Sequence, residues 1–137
     1  MNYKEKYYRW LANTNVDQST KKELESLPEK EIEERFYCDL EFGTGGLRGV
    51  MEAGSNRINV YTIRLATQGL ANEIADLGDD AKKKGVVIAF DSRNNSKLFA
   101  AETAKVLCAN GIKTYLFDDL RPTPELSFAV RHLGCVR

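Results

Sequence analysis

The stretch VVIAFDSRNNSKLFAAETAKVLCANGIKTYLF, residues 86–117, decides the fold. It opens on Val86-Val87-Ile88-Ala89-Phe90, a short β-branched apolar run that suits a strand buried on both faces. It closes on a second such run, Ile112 to Phe117. Between them lies a helix-length segment that Ser96 can cap and that Asn110-Gly111 stops. Strand, helix, strand in this order predicts a right-handed crossover and a parallel pair.

The same alternation continues on both sides. Upstream, Ile63, Ala66, Leu70, Ile74 and Leu77 recur at helical spacing, and Gly78 follows as a stop. Downstream, Thr123-Pro124 opens a helix whose Leu126, Ala129, Val130 and Leu133 share one face, and Gly134 closes it. Cys135-Val136 then reads as the start of a further strand. The expected class is α/β: a mainly parallel or mixed sheet flanked by helices.

Before residue 42 the character changes. This part contains no glycine, and all ten glycines follow it. Tyr3, Tyr7, Trp10 and Leu11 line one helical face. Asn15 or Asp17 can cap a second helix bearing Leu24 and Leu27, and Pro28 begins a third bearing Ile32 and Phe36. We expect a helical arm over residues 1–41 that packs on an α/β domain over residues 42–137.

Composition narrows the function. Lys plus Arg and Asp plus Glu are each 20, so no charge excess favours nucleic acid or an anionic membrane. No apolar run reaches membrane-spanning length, and MNYKEKYYRW lacks the core of a signal peptide. Cys38, Cys108 and Cys135 are odd in number and widely spaced, and His132 is the sole histidine, so neither a disulfide framework nor a zinc site is indicated. A cytoplasmic protein is expected, with the cysteines at core or near-core positions.

Three segments can carry chemistry. Phe42-Gly43-Thr44-Gly45-Gly46-Leu47-Arg48-Gly49 has the glycine density that lets backbone N–H groups approach an anion, and Arg48 can hold a phosphate bidentately. A tight turn entering an edge strand, with Arg48 solvated, accounts for it equally well. Asp91-Ser92-Arg93-Asn94-Asn95-Ser96 follows the first strand, where open α/β sheets bind ligands. There Arg93 is a candidate substrate contact, although capping and turn roles explain most of the segment. Asp118-Asp119 offers a carboxylate pair for Mg²⁺ or a solvated turn. Lys82-Lys83-Lys84 reads as a solvated loop, and His132 as a helix-boundary residue.

These segments together resemble the α-D-phosphohexomutase family, which includes phosphoglucomutase and phosphomannomutase. FGTGGLRG at 42–49 is similar to the family's first phosphate-binding loop, FDSRNNS at 90–96 to its Asp-Ser-Arg turn, and RPTPELSFAVRHLG at 121–134 to its Pro-Thr-Pro helix. GSNRIN at 54–59 and ATQGL at 66–70 extend the likeness. The helical leader resembles the longer-armed phosphoglucomutase/phosphopentomutase-like branch. The resemblance implies the family's domain I, and a parent enzyme that interconverts hexose 1-phosphate and 6-phosphate, of glucose or mannose, through a phosphoserine and a bisphosphate intermediate. It implies Mg²⁺ and a glucose 1,6-bisphosphate-type activator for the parent. It also implies Arg48 as a phosphate or substrate contact, Thr44, Gly45, Gly46 and Gly49 as loop-shaping residues, and Arg93 as a further contact.

The family's Thr-Ala-Ser-His-Asn-Pro serine motif and its Asp-Gly-Asp metal loop are not among these residues. The expectation is therefore a domain I that stops short of the serine loop, with no catalytic residue or metal ligand of its own and no turnover alone. Its expected partners are a hexose phosphate and the remaining domains. A sheet lacking its next strand also invites self-association. Two non-enzymatic readings compete: a free-standing phosphate-binding α/β module, and a protein-interaction domain using the arm.

Overall fold

The computed structural model describes residues 1–44 and 46–137. They pack as two compact units, Met1–Thr62 and Ile63–Arg137.

The first unit begins with three helices, α1 (Tyr3–Ala12), α2 (Gln18–Glu25) and α3 (Glu29–Phe36). A reciprocal capping box starts α1: Asn2 Oδ1 accepts from Glu5 N, and Glu5 Oε2 accepts from Asn2 N. Of the two candidate caps for α2, Asp17 is the one used, its carboxylate accepting from Thr20 N at 2.7 Å. Pro28 precedes α3 as its N-cap, one position earlier than its reading as a first-turn residue. Tyr7, Leu24, Ile32 and Phe36 bury their apolar stripes together with Ala53. Phe36 lies edge-on to Tyr7 and Trp10, at 5.7 and 5.6 Å between ring centres. The helices thus share their core with the segment after the Gly-rich loop. That loop carries a two-stranded antiparallel hairpin, β1 (Phe42–Gly43) and β2 (Gly46–Leu47), in register Phe42 to Leu47.

The second unit holds α5 (Asp79–Lys84), β3 (Val86–Ile88), α6 (Ser96–Ala109), β4 (Thr114–Leu116), α7 (Thr123–Leu133) and all but the first turn of α4 (Val60–Asp76). β3 and β4 pair in parallel, Val86 with Thr114 through Ile88 with Leu116. The predicted crossover is present, although both strands are shorter than the apolar runs. Val86 and Ile88 join a core with Ala71, Ile74, Ala81, Leu107 and Ile112. On the other face, Val87, Tyr115 and Phe117 line an apolar groove with Phe128, Ala129 and Leu133 of α7.

The chain after α7 returns to this sheet. Val136 N donates to Gly85 O and Val87 N to Arg137 O, both at 2.9 Å. These groups point away from β4, because Val86 N and Ile88 O are the ones bonded to Lys113 and Phe117. Residues 136–137 therefore run alongside β3 on its second edge, in the same direction as β3. Beyond the carboxyl end of β3, where open α/β sheets bind ligands, the chain enters the turn at residues 91–95.

Four local readings change. Lys82-Lys83-Lys84 is the last turn of α5, where its charges oppose the helix dipole, rather than a loop. Ser96 is the first residue of α6 and not its cap, since Asn95 takes that place in a left-handed conformation, φ 62°. Pro122 caps α7, so Thr123 and Pro124 are its first two residues. Cys108 is exposed near the end of α6, outside the core placement read for it.

Candidate functional site

The Gly-rich segment carries the β1–β2 hairpin. Gly45, a candidate loop-shaping residue, lies outside the described residues. Gly46 takes φ 102°, a conformation that suits glycine alone, with open space where a side chain would stand. Thr44 is exposed. Arg48 follows β2 directly and is exposed, and among the described residues its side chain makes no hydrogen bond or ion pair. A guanidinium presented in this way keeps its full donor fork for an oxyanion. Gly49 sits under it against Leu40, whose Cδ1 would stand 3.0 Å from an added Cβ, so the loop's foot admits no larger residue without movement.

That foot is fixed by a knot that the sequence reading did not single out. Ile58 N donates to Val50 O at 2.8 Å, Leu40 N to Ser55 O at 2.9 Å, and Asn56 N to Arg35 O at 2.9 Å. Arg35 is 6% exposed. Its guanidinium donates to Ala53 O, Glu23 Oε1 and Glu31 Oε2, and lies 3.5 Å from Glu52. Burial opposes its charge, and the three glutamates more than offset that, holding the group firmly protonated. Glu52 also receives Arg57 Nε at 3.1 Å.

In the second unit the Asp-Ser-Arg turn sits at the carboxyl end of β3. Asp91 accepts from Arg93 N at 3.0 Å and from Arg93 Nε at 2.7 Å, while Asp91 N donates to Ser96 Oγ. The Arg93 backbone bond, followed by its side chain and Ser96, holds the Asp91 carboxyl below the usual carboxylate range. Arg93 remains 87% exposed beyond this pair. The turn after β4 is tied to it, Arg121 N donating to Phe90 O at 3.2 Å. Arg121 pairs with Asp118 and Glu125 and stands over the Phe117 ring. It is a second cation at the carboxyl end, absent from the candidates named above.

Asp118 and Asp119 do not converge. Asp118 accepts from Arg121, and Asp119 turns back onto Leu120 N at 2.8 Å. Among the described residues no group of three His, Cys, Asp or Glu side chains is placed to hold a metal ion. Asp118 and Asp119, engaged in this way, do not form a Mg²⁺ site. His132 stacks on Phe128 at 5.3 Å, on the surface of α7.

The first unit thus presents an arginine beside a Gly-rich hairpin, and the second, an α/β unit, carries a capped turn at the carboxyl end of β3. Residues 39–137 match the family model described as phosphoglucomutase/phosphomannomutase, alpha/beta/alpha domain I, and the chain belongs to that family. A phosphoglucomutase of Staphylococcus saprophyticus is 44% identical over 124 residues, 90% of this chain and 22% of the relative. A human phosphopentomutase is 36% identical over 133 residues, and a mouse glucose 1,6-bisphosphate synthase 35% over 136, covering 93% and 95% of this chain and 22% of each relative. The chain thus spans about a fifth of the length of these curated relatives, 22% in each. No solved structure matches.

Proposed function

We propose that this chain is the phosphate-holding first domain of a sugar-phosphate mutase. The observation that carries the reading is Arg48, exposed with no partner among the described residues at the foot of a glycine hairpin, within the region that matches the family's domain I. Arg48 grips the phosphate of a hexose phosphate. Thr44, Gly45, Gly46 and Gly49 shape the loop around it, and Arg93, on the turn after β3 in the second unit, is proposed separately as a substrate contact. The domain occupies residues 42–137, with residues 1–41 as its arm.

In a polypeptide that also carries the family's serine loop, the activity is interconversion of hexose 1- and 6-phosphates. Catalysis of such transfers is largely a matter of positioning the phosphoryl group and neutralising its charge, and this domain contributes the arginine. Mg²⁺ and a glucose 1,6-bisphosphate-type activator belong to that larger enzyme, as do the remaining domains as partners. We place the protein in the cytoplasm. Its three cysteines are unpaired, and among the described residues no helix is long and apolar enough to cross a membrane.

The test is an amide-shift titration of the 137-residue chain with glucose 1-phosphate, glucose 6-phosphate and glucose. Both phosphates should give saturable shifts within residues 42–50, and glucose none. Equal responses to all three, or no response to either phosphate, would overturn the reading. Supplied with glucose 1-phosphate, glucose 1,6-bisphosphate and Mg²⁺, the chain alone should form no glucose 6-phosphate; turnover would contradict our assignment of the transfer step to residues outside it.

A further inference from the structure

We propose that Arg35, on the helical arm, is a positioning residue for the Arg48 loop. The inference rests on the phosphate-site reading for its functional meaning, but its physical content is tested without any ligand.

The geometry runs through one helix residue. Arg35 lies in α3, shortly before the hairpin, and it meets the chain after the hairpin at three places. Its carbonyl accepts from Asn56 N, its guanidinium donates to Ala53 O, and it pairs with Glu52. Gly54 closes over its backbone so tightly that an added Cβ would stand 2.8 Å from both Arg35 Cβ and Arg35 O. Asn59 Nδ2 then donates to Glu52 O and Gly54 O, closing residues 52–59 into a ring around the guanidinium. That ring holds the hairpin's foot, because Ile58 N donates to Val50 O and the Ile58 side chain packs on Gly49. Arg48 is the next residue toward the tip.

Stability alone is a poor explanation for this arrangement. Arg35 Nε is buried without a hydrogen-bond partner, and a guanidinium buried with an unmet donor gives up much of what its ion pairs return. A planar fork donates in fixed directions to the Ala53 carbonyl and to the Glu23 and Glu31 carboxylates at once, a geometry that a lysine's ammonium does not reproduce. An arginine that must hold a phosphate without reorganising needs such a foundation.

The experiment compares Arg35→Lys with Leu24→Ala in the 137-residue chain by amide hydrogen exchange without ligand. Leu24 is fully buried in the same unit and its side chain makes none of the knot's hydrogen bonds, so its truncation serves as the packing-loss control. Arg35→Lys should speed exchange at Ile58 and Asn56 at least tenfold relative to Tyr37, whose amide is bonded within the arm to Glu33 O. Leu24→Ala should move all three amides by a common factor. The inference is overturned if Arg35→Lys also moves them together, or leaves Ile58 unchanged. A phosphate titration of the same proteins keeps the two questions apart. Should wild type show no Arg48-dependent response to inorganic phosphate, the functional reading fails while the exchange result still decides whether Arg35 sets the loop. Should wild type respond, Arg35→Lys should weaken it at least fivefold with Leu24→Ala within twofold of wild type; equal weakening by both variants would count against a positioning role.

Discussion

Replacing Gly54 with alanine should unfold the first unit at a substantially lower denaturant concentration than wild type. Gly54 has φ 136°, a region that L residues rarely enter. The new methyl group would also meet Arg35 Cβ and Arg35 O at 2.8 Å, and that carbonyl is already engaged by Asn56 N. Neither contact can swing away, because both belong to or adjoin the backbone of α3. Strain at such a φ costs roughly 1–3 kcal/mol and overpacking a similar amount, so the sum is about 2–6 kcal/mol against a total stability of order 5–15. Gly69→Ala, in the second unit, is the control for the chemical change and is followed by circular dichroism. Gly69 lies inside α4 with nothing within 4 Å of an added Cβ, so the same chemical change should stabilise by about 0.5–1 kcal/mol. Trp10 is the only tryptophan and lies in the first unit, so its fluorescence during urea unfolding reports on that unit specifically. A Gly54→Ala protein within about 0.5 kcal/mol of wild type would refute the packing argument.

Other expectations follow from equally specific contacts. Gly85→Ala places a Cβ 2.4 Å from Lys113 O at φ 81°, so it should loosen the β3–β4 pair, read as lost protection of the Val86 and Phe117 amides, while Trp10 fluorescence melts stay near wild type. Asp17→Ala removes the α2 cap and should cost about 1 kcal/mol near neutral pH. The Thr20 backbone bond and then Tyr61 hold the Asp17 carboxyl below its ordinary value, so its stabilisation is present above the unfolded pKa and is lost as pH falls through the folded one. The wild-type advantage over Asp17→Ala in Trp10 melts should therefore shrink on acidification; an advantage constant to low pH would contradict the cap's charge. Glu102 is buried beside Arg64, with Lys105 adding a weaker pull, and its carboxyl is likewise depressed. Glu102→Gln should lower stability at neutral pH, followed by circular dichroism, with the deficit vanishing in the same acid direction; a deficit that grows in acid would show the sign to be wrong.

The sequence disclosed those elements whose local pattern and tertiary role agree. Val86–Ile88 is β-branched and apolar because it pairs and buries, Thr114–Leu116 pairs with it while staying half-buried to exposed, and Leu70 and Ile74 of the Ile63–Leu77 stripe pack in the core although Leu77 is exposed. The misread places are those where a polar group outcompeted propensity. Ser96 reads as a cap, but Asp91 N takes its hydroxyl and Asn95 turns left-handed instead. The lysines at 82–84 look like loop because their helix is short and lies under the sheet's edge. Arg48 and Arg93 were legible as glycine- and aspartate-flanked cations. Arg35 was not, since a charged residue between Glu34 and Phe36 on a Glu-rich helix looks like surface, and only the return of residues 52–57 buries it. Its one trace in the sequence is position: it lies three residues after Ile32 and beside Phe36, on the helix's buried side.

The central claim is that Arg48 grips phosphate, and its most direct test is titration of inorganic phosphate into wild type, Arg48→Ala and Arg93→Ala, followed by amide shifts of residues 42–50. Arg48 is exposed and unpaired among the described residues, so its removal should leave thermal unfolding essentially unchanged. Arg48→Ala should abolish the saturable response, and Arg93→Ala, on the second unit, serves as a comparison that loses a different cation. A response in Arg48→Ala equal to wild type would contradict the account.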